Sequence, residues 1–329
     1  MGLFPPMVAT SATLTTYERT GQRLARRMAE ASGSTDWADV VAQFLVTRPN
    51  WSQRTFRLYK AALQHHLAIE AAPPSLIKVL RDSSSKDCAT RSKATSGGKS
   101  KKVSGSDRVT LITALRTRGT DSALMAADYF EAGLVVGPRP VEWVGASLVA
   151  LGESRLLDAP ASSTHQLTLR NAKHDSLGIR GNGASRTLYL TLSTHETAVI
   201  TRVIANASSH TGDWDQHYGR LRAALRYAGL QLWPRRNKIP CFYTTRHQTQ
   251  ADAKASGQRP NEIAAIFGHA SDNTGTQHYA RASQGDKNMY KLAASAVSLS
   301  KVRNQKATQR VLDRAKDRIS SPSTTKGNE

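Results

Sequence analysis

The segment GHASDNTGTQHYAR, residues 268–281, sets His269 ten residues ahead of Tyr279 and twelve ahead of Arg281. A tyrosine hydroxyl can attack a phosphoester whose oxygens are held by cations. An imidazole beside it can hydrogen-bond the oxygens on which charge grows. Two further segments carry arginines in marked settings: EAGLVVGPRPVEW (131–143) holds Arg139 between two prolines, and YTTRHQTQADAKASG (243–257) places Arg246 next to His247. Metal-free phosphodiester chemistry needs these parts: cations on the non-bridging oxygens, an acid for the leaving oxygen and a nucleophile in line. The sequence has no HExxH, no Cys/His ligand spacing, no GxxxxGK[ST] and no acidic cluster for a metal-dependent nuclease. Each residue also has a plainer reading. Arg139 can pair with Glu142 at a helix start, Arg246 can be a solvated helical charge, His269 a core or loop histidine, and Tyr279 a packed surface aromatic. Tyr290, in KNMYKLAAS, is the substitute nucleophile in what reads as an ordinary helix.

These residues need a scaffold, and the patterning describes one. Residues 1–34 read as a disordered start followed by a short basic helix weakened by Gly21. Over 35–82 the apolar residues Trp37, Val40, Val41, Phe44 and Leu45 keep helical period, with Asp36 or Thr35 as cap. Ser52 caps a second helix carrying Phe56, Tyr59, Leu63 and Leu67, and a third runs from Ser75 to Leu80. The polar faces of this helical unit carry Arg48, Arg54, Arg57 and Lys60. Residues 83–106 hold six Lys/Arg against one Asp amid Ser and Gly, which predicts a basic flexible linker. Such a tether is either simply solvated or also tracks a phosphate backbone through Lys99, Lys101 and Lys102.

Residues 107–300 read as an α+β domain. Helices are predicted over 107–118, 121–134, 194–206, 213–228, 244–256 and 260–267, with another from about 286, and Pro140 opens one more. HQLTLRNA and ASRTLYLTL alternate like two strands joined by the Gly-rich KHDSLGIRGNG. Residues 301–329 form a basic C-terminal tail with eight basic and three acidic residues. The predicted fold class is therefore mostly α with a small antiparallel β-sheet.

Composition points to the partner. Lys plus Arg number 46 against 25 Asp plus Glu in 329 residues, a formal charge of +21. An excess of this size favours a polyanion. No Lys/Arg-rich helix has a Leu/Phe/Trp face, which argues against a membrane surface and for nucleic acid. No run of eighteen apolar residues spans a bilayer, and the opening MGLFPPMVAT fits neither a signal peptide nor, with Pro6, the myristoylation pattern. Cys88 and Cys241 suggest no disulfide framework. A cytoplasmic location is expected.

The three quoted blocks resemble, in order, motifs of the tyrosine recombinases (phage-type integrases). GPRPVEW is similar to the first-arginine motif with Arg139, YTTRHQTQADAKASG to the helix of the second arginine with Arg246, and GHASDNTGTQHYAR to the closing motif with His269 and the nucleophile Tyr279. The resemblance covers about residues 35–300. It implies an N-terminal helical core-binding domain and a catalytic domain that together form a C-shaped clamp on double-stranded DNA. It also implies a homo-tetramer on two sites, a 3′-phosphotyrosyl intermediate, a Holliday junction and no cofactor or metal. An accessory DNA-binding protein is a further partner of such systems. The family's general acid is a lysine on a β-hairpin between the two arginines. Lys173 and Lys238 lie there. Lys173, where the hairpin turns, is the choice, and Lys238 is left as a loop charge or phosphate contact. One departure stands out: Tyr243 occupies the place where the family has a histidine. With a pKa near ~10 it can donate a hydrogen bond but is a poor base. Adjacent His247 points about 100° away on the helix. Two other readings remain open on this evidence, a type IB topoisomerase and a non-catalytic DNA-binding regulator.

Overall fold

The structure, a computed structural model, describes residues 11–89, 100–152, 158–174, 181–272, 281–288 and 290–303. The chain divides into two compact units, residues 1–95 and 96–329.

In the first unit, helices α1 (Ser11–Ser32), α2 (Trp37–Val46), α3 (Gln53–Ile69) and α4 (Pro74–Asp82) enclose a core of Met28, Val41, Phe44, Phe56, Leu63 and Leu80. The caps fall where the sequence places them. Asp36 accepts from the Ala38 N–H at 2.6 Å, and Ser52 accepts from the Thr55 N–H at 3.2 Å, each satisfying a donor that the first helical turn leaves open. Helix α1 corrects the reading of residues 1–34 as a weak element set apart. It runs for 22 residues and lies along α3. Gly21, expected to weaken it, is the point of closest approach, since a Cβ there would come within 2.4 Å of the Ala62 carbonyl oxygen. Glycine's entropic cost is offset by the packing it permits.

The described ends of the 83–106 segment are docked, contrary to a fully flexible linker. Cys88 is buried in the core of the first unit. At the other end Val103 is buried, its N–H donating to Gln248 at 3.1 Å, and the Ser100 carbonyl accepts from the Thr244 hydroxyl at 2.8 Å.

The second unit is built on α6 (Asp121–Val136), whose sides are nearly all buried by α5 (Gly105–Arg118), α7 (Thr194–Ser209), α8 (Trp214–Leu232) and α9 (Phe242–Ala255). Helix α10 (Pro260–Ile266) follows α9. Among the described residues the sheet has four antiparallel strands in the order β1 (Ser147–Ala150), β2 (His165–Arg170), β3 (Ser185–Leu190) and β4 (Leu292–Ala294). In the β2–β3 register Leu167 faces Leu188 and Leu169 faces Arg186. The helix expected from residue 286 is not formed. β4 pairs with β3 there, and among the described residues from 286 on Ala296–Ser300 is the helical part. Tyr290 accordingly stands beside a strand, packed on the core, and burial pushes its phenol far above the ordinary value. None of the described helices is long and apolar enough to cross a membrane.

Candidate active site

Arg139 enters the site through two turns. Gly137, left-handed at φ 68°, stops α6, and Pro138-Arg139 then leads into a 3-10 turn, Pro140–Trp143. That turn folds Glu142 back onto the arginine before it. The Glu142 carboxylate accepts from the Arg139 backbone N–H at 2.8 Å and from its Nη1 at 2.6 Å. The plainer reading of Arg139, a pair with Glu142 at a helix start, is thus part of the geometry.

Arg246 arrives from the first half of α9, wholly buried. Its Nη1 donates to the Gly137 carbonyl at 3.0 Å and lies 3.8 Å from Glu142 Oε2. Its Nη2 donates to the Phe267 carbonyl at 2.5 Å and lies 3.1 Å from His269 Nε2. The reading of Arg246 as a solvated charge is excluded.

The Gly-His pair has a backbone explanation. Gly268, at φ 62°, ends α10: its N–H donates to the Ala265 carbonyl at 3.2 Å, and the His269 N–H donates to Ala264 at 2.8 Å. These two bonds make a Schellman stop. A Cβ at Gly268 would also meet Asn171 Oδ1 at 2.5 Å, so the position demands glycine on both counts. The stop delivers a buried His269 beside Arg246. Burial first, then Arg246, Arg139 and Arg186, holds its imidazole well below the ordinary value, so it is neutral at pH 7. With the guanidinium donating, Nε2 is the acceptor and the ring proton sits on Nδ1.

Arg186 on β3 was missed by sequence reasoning. It is fully buried, with Nη2 donating to Glu142 at 2.8 Å, Nε donating to the Ile266 carbonyl at 2.8 Å and Nη1 donating to Asn171 Oδ1. The signal was available in the alternation. In SRTLYL, Arg186 shares a face with Leu188 and Leu190, both buried.

Glu142 is therefore a hub for three arginines. Burial raises its pKa, but Arg186, Arg246 and Arg139 outweigh that and hold the carboxyl far below the usual carboxylate range. These four side chains carry three positive charges and one negative, a net +2 in a dry place. Desolvating unbalanced charge costs several kcal/mol per ion. An anion at Arg139 and Arg246 would relieve that cost.

Lys173 is exposed at the start of the β2–β3 connection. The residue before it, Ala172, donates its N–H to Glu142 Oε1 at 3.2 Å, so the hairpin is fastened to the hub one residue from the lysine. Tyr243 lies in the first turn of α9, half-buried, one turn before Arg246 and thus on its side of the helix. The His247 ring is buried against the Tyr243 ring at 5.7 Å between centroids. Tyr279 and Lys99 lie outside the described residues.

The expected DNA-contact residues sort differently. Arg54, Arg57, Lys101, Lys102 and Lys238 are exposed. Lys60 is engaged within its own unit: its ammonium donates to the Arg81 carbonyl at 3.3 Å and the Ser83 carbonyl at 3.0 Å, capping the end of α4. Arg48 is likewise engaged, with the Ser84 carbonyl at 3.2 Å and Asp87 at 2.8 Å. Among the described residues no group of three or more His, Cys, Asp or Glu stands close enough to hold a metal ion. No family model, curated protein or solved structure matches this chain.

Proposed function

We propose that this chain is a tyrosine-type site-specific DNA recombinase. The observation that carries the reading is the convergence of Arg139, Arg246 and His269. Segments more than a hundred residues apart bring both arginines to one carboxylate, with the histidine on the second. In the proposed reaction Arg139 and Arg246 hold the scissile phosphate, as guanidinium forks suit paired oxygens. His269 steadies the same oxygens and Tyr243 donates to one of them. The Tyr279 hydroxyl attacks phosphorus as the bond to the 5′ oxygen breaks, and Lys173 protonates that oxygen. A 5′-hydroxyl from the partner strand then displaces the tyrosine. The phosphoester energy is kept in the 3′-phosphotyrosyl bond, so neither ATP nor a metal enters the scheme.

The +21 charge supports a DNA partner. In this reading the helical unit and the catalytic unit clamp one duplex, and four protomers on two sites exchange strands through a Holliday junction. The process serves a mobile element in the bacterial cytoplasm.

The test is a nicked suicide substrate that traps the covalent intermediate. The native chain should form the adduct, whereas Tyr279→Phe should bind DNA equally and form none. An adduct retained by Tyr279→Phe would remove the assigned nucleophile. Exchange between two duplexes, rather than relaxation of supercoils alone, separates this reading from a type IB topoisomerase.

A further inference from the structure

Arg186 does not reach solvent, yet it joins three segments that each carry a site residue. Its Nη1 holds Asn171, two residues before Lys173, and its Nε holds the Ile266 carbonyl, three residues before His269. Its Nη2 holds Glu142 in the turn that presents Arg139. Asn171 passes the constraint on. Its Nδ2 donates to the Asn182 and Gly183 carbonyls at 2.9 and 2.8 Å, tying the outgoing side of the hairpin to the incoming one. Glu142 secures the same hairpin through the Ala172 N–H. The backbone just before Lys173, and the start of the returning strand at Asn182 and Gly183, are thus anchored to atoms that Arg186 fixes.

We propose that Arg186 is the positioning residue that sets the reach of the Lys173 hairpin toward the Arg139–Arg246 pair, acting through Asn171 and Glu142. The proposal rests on the recombinase reading, in which Lys173 is the acid. A lysine at 186 keeps the charge but cannot hold three acceptors in a fork. Asn171→Ala cuts the hairpin link alone and leaves the bonds of Arg186 to Ile266 and Glu142.

The experiment measures adduct formation by the full chain on two suicide substrates, one with the ordinary 5′-bridging oxygen and one with sulfur there. A thiolate leaves without an acid. Arg186→Lys and Asn171→Ala should slow the oxygen substrate roughly 10–100-fold, the cost of a misplaced catalytic group. On the sulfur substrate both should return to within a few-fold of the native chain, whereas Arg139→Ala should stay slow on both. Equal losses on both substrates, or no loss on oxygen, would overturn the proposal. If the native chain forms no adduct on either substrate, the recombinase reading falls. The positioning role is then decided by amide hydrogen exchange at Ala172. Faster exchange in both variants, with α6 still protected, upholds it, and unchanged exchange rejects it.

Discussion

On α3 of the first unit Arg54 and Arg57 stand exposed, while in the second unit Arg139, Arg186 and Arg246 are buried around Glu142. The residue type is the same, and its use is opposite. A surface guanidinium is screened by water and salt and contributes little to stability. A buried one needs partners for its donors and its charge, so it fixes the backbone segments that supply them. Lys60 shows that exposure alone does not sort the two classes, because its ammonium caps α4 from a half-buried position. In a chain this basic, net charge favours a polyanionic partner, and only the buried minority outlines the candidate site.

The largest expected effect breaks the hub. Glu142→Ala leaves three buried cations without their shared carboxylate and should destabilise the second unit by about 3–5 kcal/mol. Denaturant unfolding checks this, and a loss under about 1 kcal/mol would put Glu142 in the same energetic class as a surface ion pair.

A smaller effect belongs to Tyr243. Tyr243→Phe should slow cleavage by one charge-assisted hydrogen bond, roughly 1.5–3 kcal/mol or about 10–150-fold. Tyr243→His should preserve or raise the rate. Single-turnover cleavage measures both, and a native rate in the phenylalanine variant would remove Tyr243 from the site.

The neutral His269 gives the comparison a pH axis. Burial and the neighbouring arginines place its folded pKa well below 6.5. Below that pH the unfolded chain binds a proton that the folded chain refuses. The contribution is therefore present above about 6.5 and lost as pH falls, with a slope of up to about 1.4 kcal/mol per pH unit. Unfolding free energies at pH 5 and 7 should differ less in His269→Gln than in the native chain. The lowered histidines His165 and His217 are present in both chains and cancel. Equal differences would show that His269 is not held neutral.

The smallest effects separate α3's own cations. Lys60→Ala should cost the helical unit about 1 kcal/mol or less through the lost cap. Arg54→Ala should leave its melting unchanged and flatten the salt dependence of DNA binding by about one unit of log-log slope. The reverse pattern would exchange their roles.

Much of the scaffold was legible because its signals are local. Asp36 and Ser52 announce their helices by side-chain chemistry a few residues ahead, and Leu167, Leu169, Leu188 and Leu190 announce β2 and β3 by alternation. Arg139, Arg246 and His269 were identifiable as candidates through the resemblance of their segments to recombinase motifs, and the prolines and glycines beside Arg139 and His269 marked where the chain must turn. What failed was whatever depends on a distant partner. Leu292–Ala294 has helical composition but becomes a strand, because β3 offers an open edge and backbone pairing there outweighs a weak local preference. Gly21 looks like a helix breaker until α3 lies against it. Arg186 looks like a surface charge in a strand, and only the meeting of Asn171, Ile266 and Glu142 around it makes burial affordable. The sequence by itself thus determined most of the helices, the hairpin and the candidate residues, since caps, periodicity and residue type act within a few residues. The tertiary structure alone decided which charges are buried together, since that rests on hydrogen bonds among segments far apart in the chain.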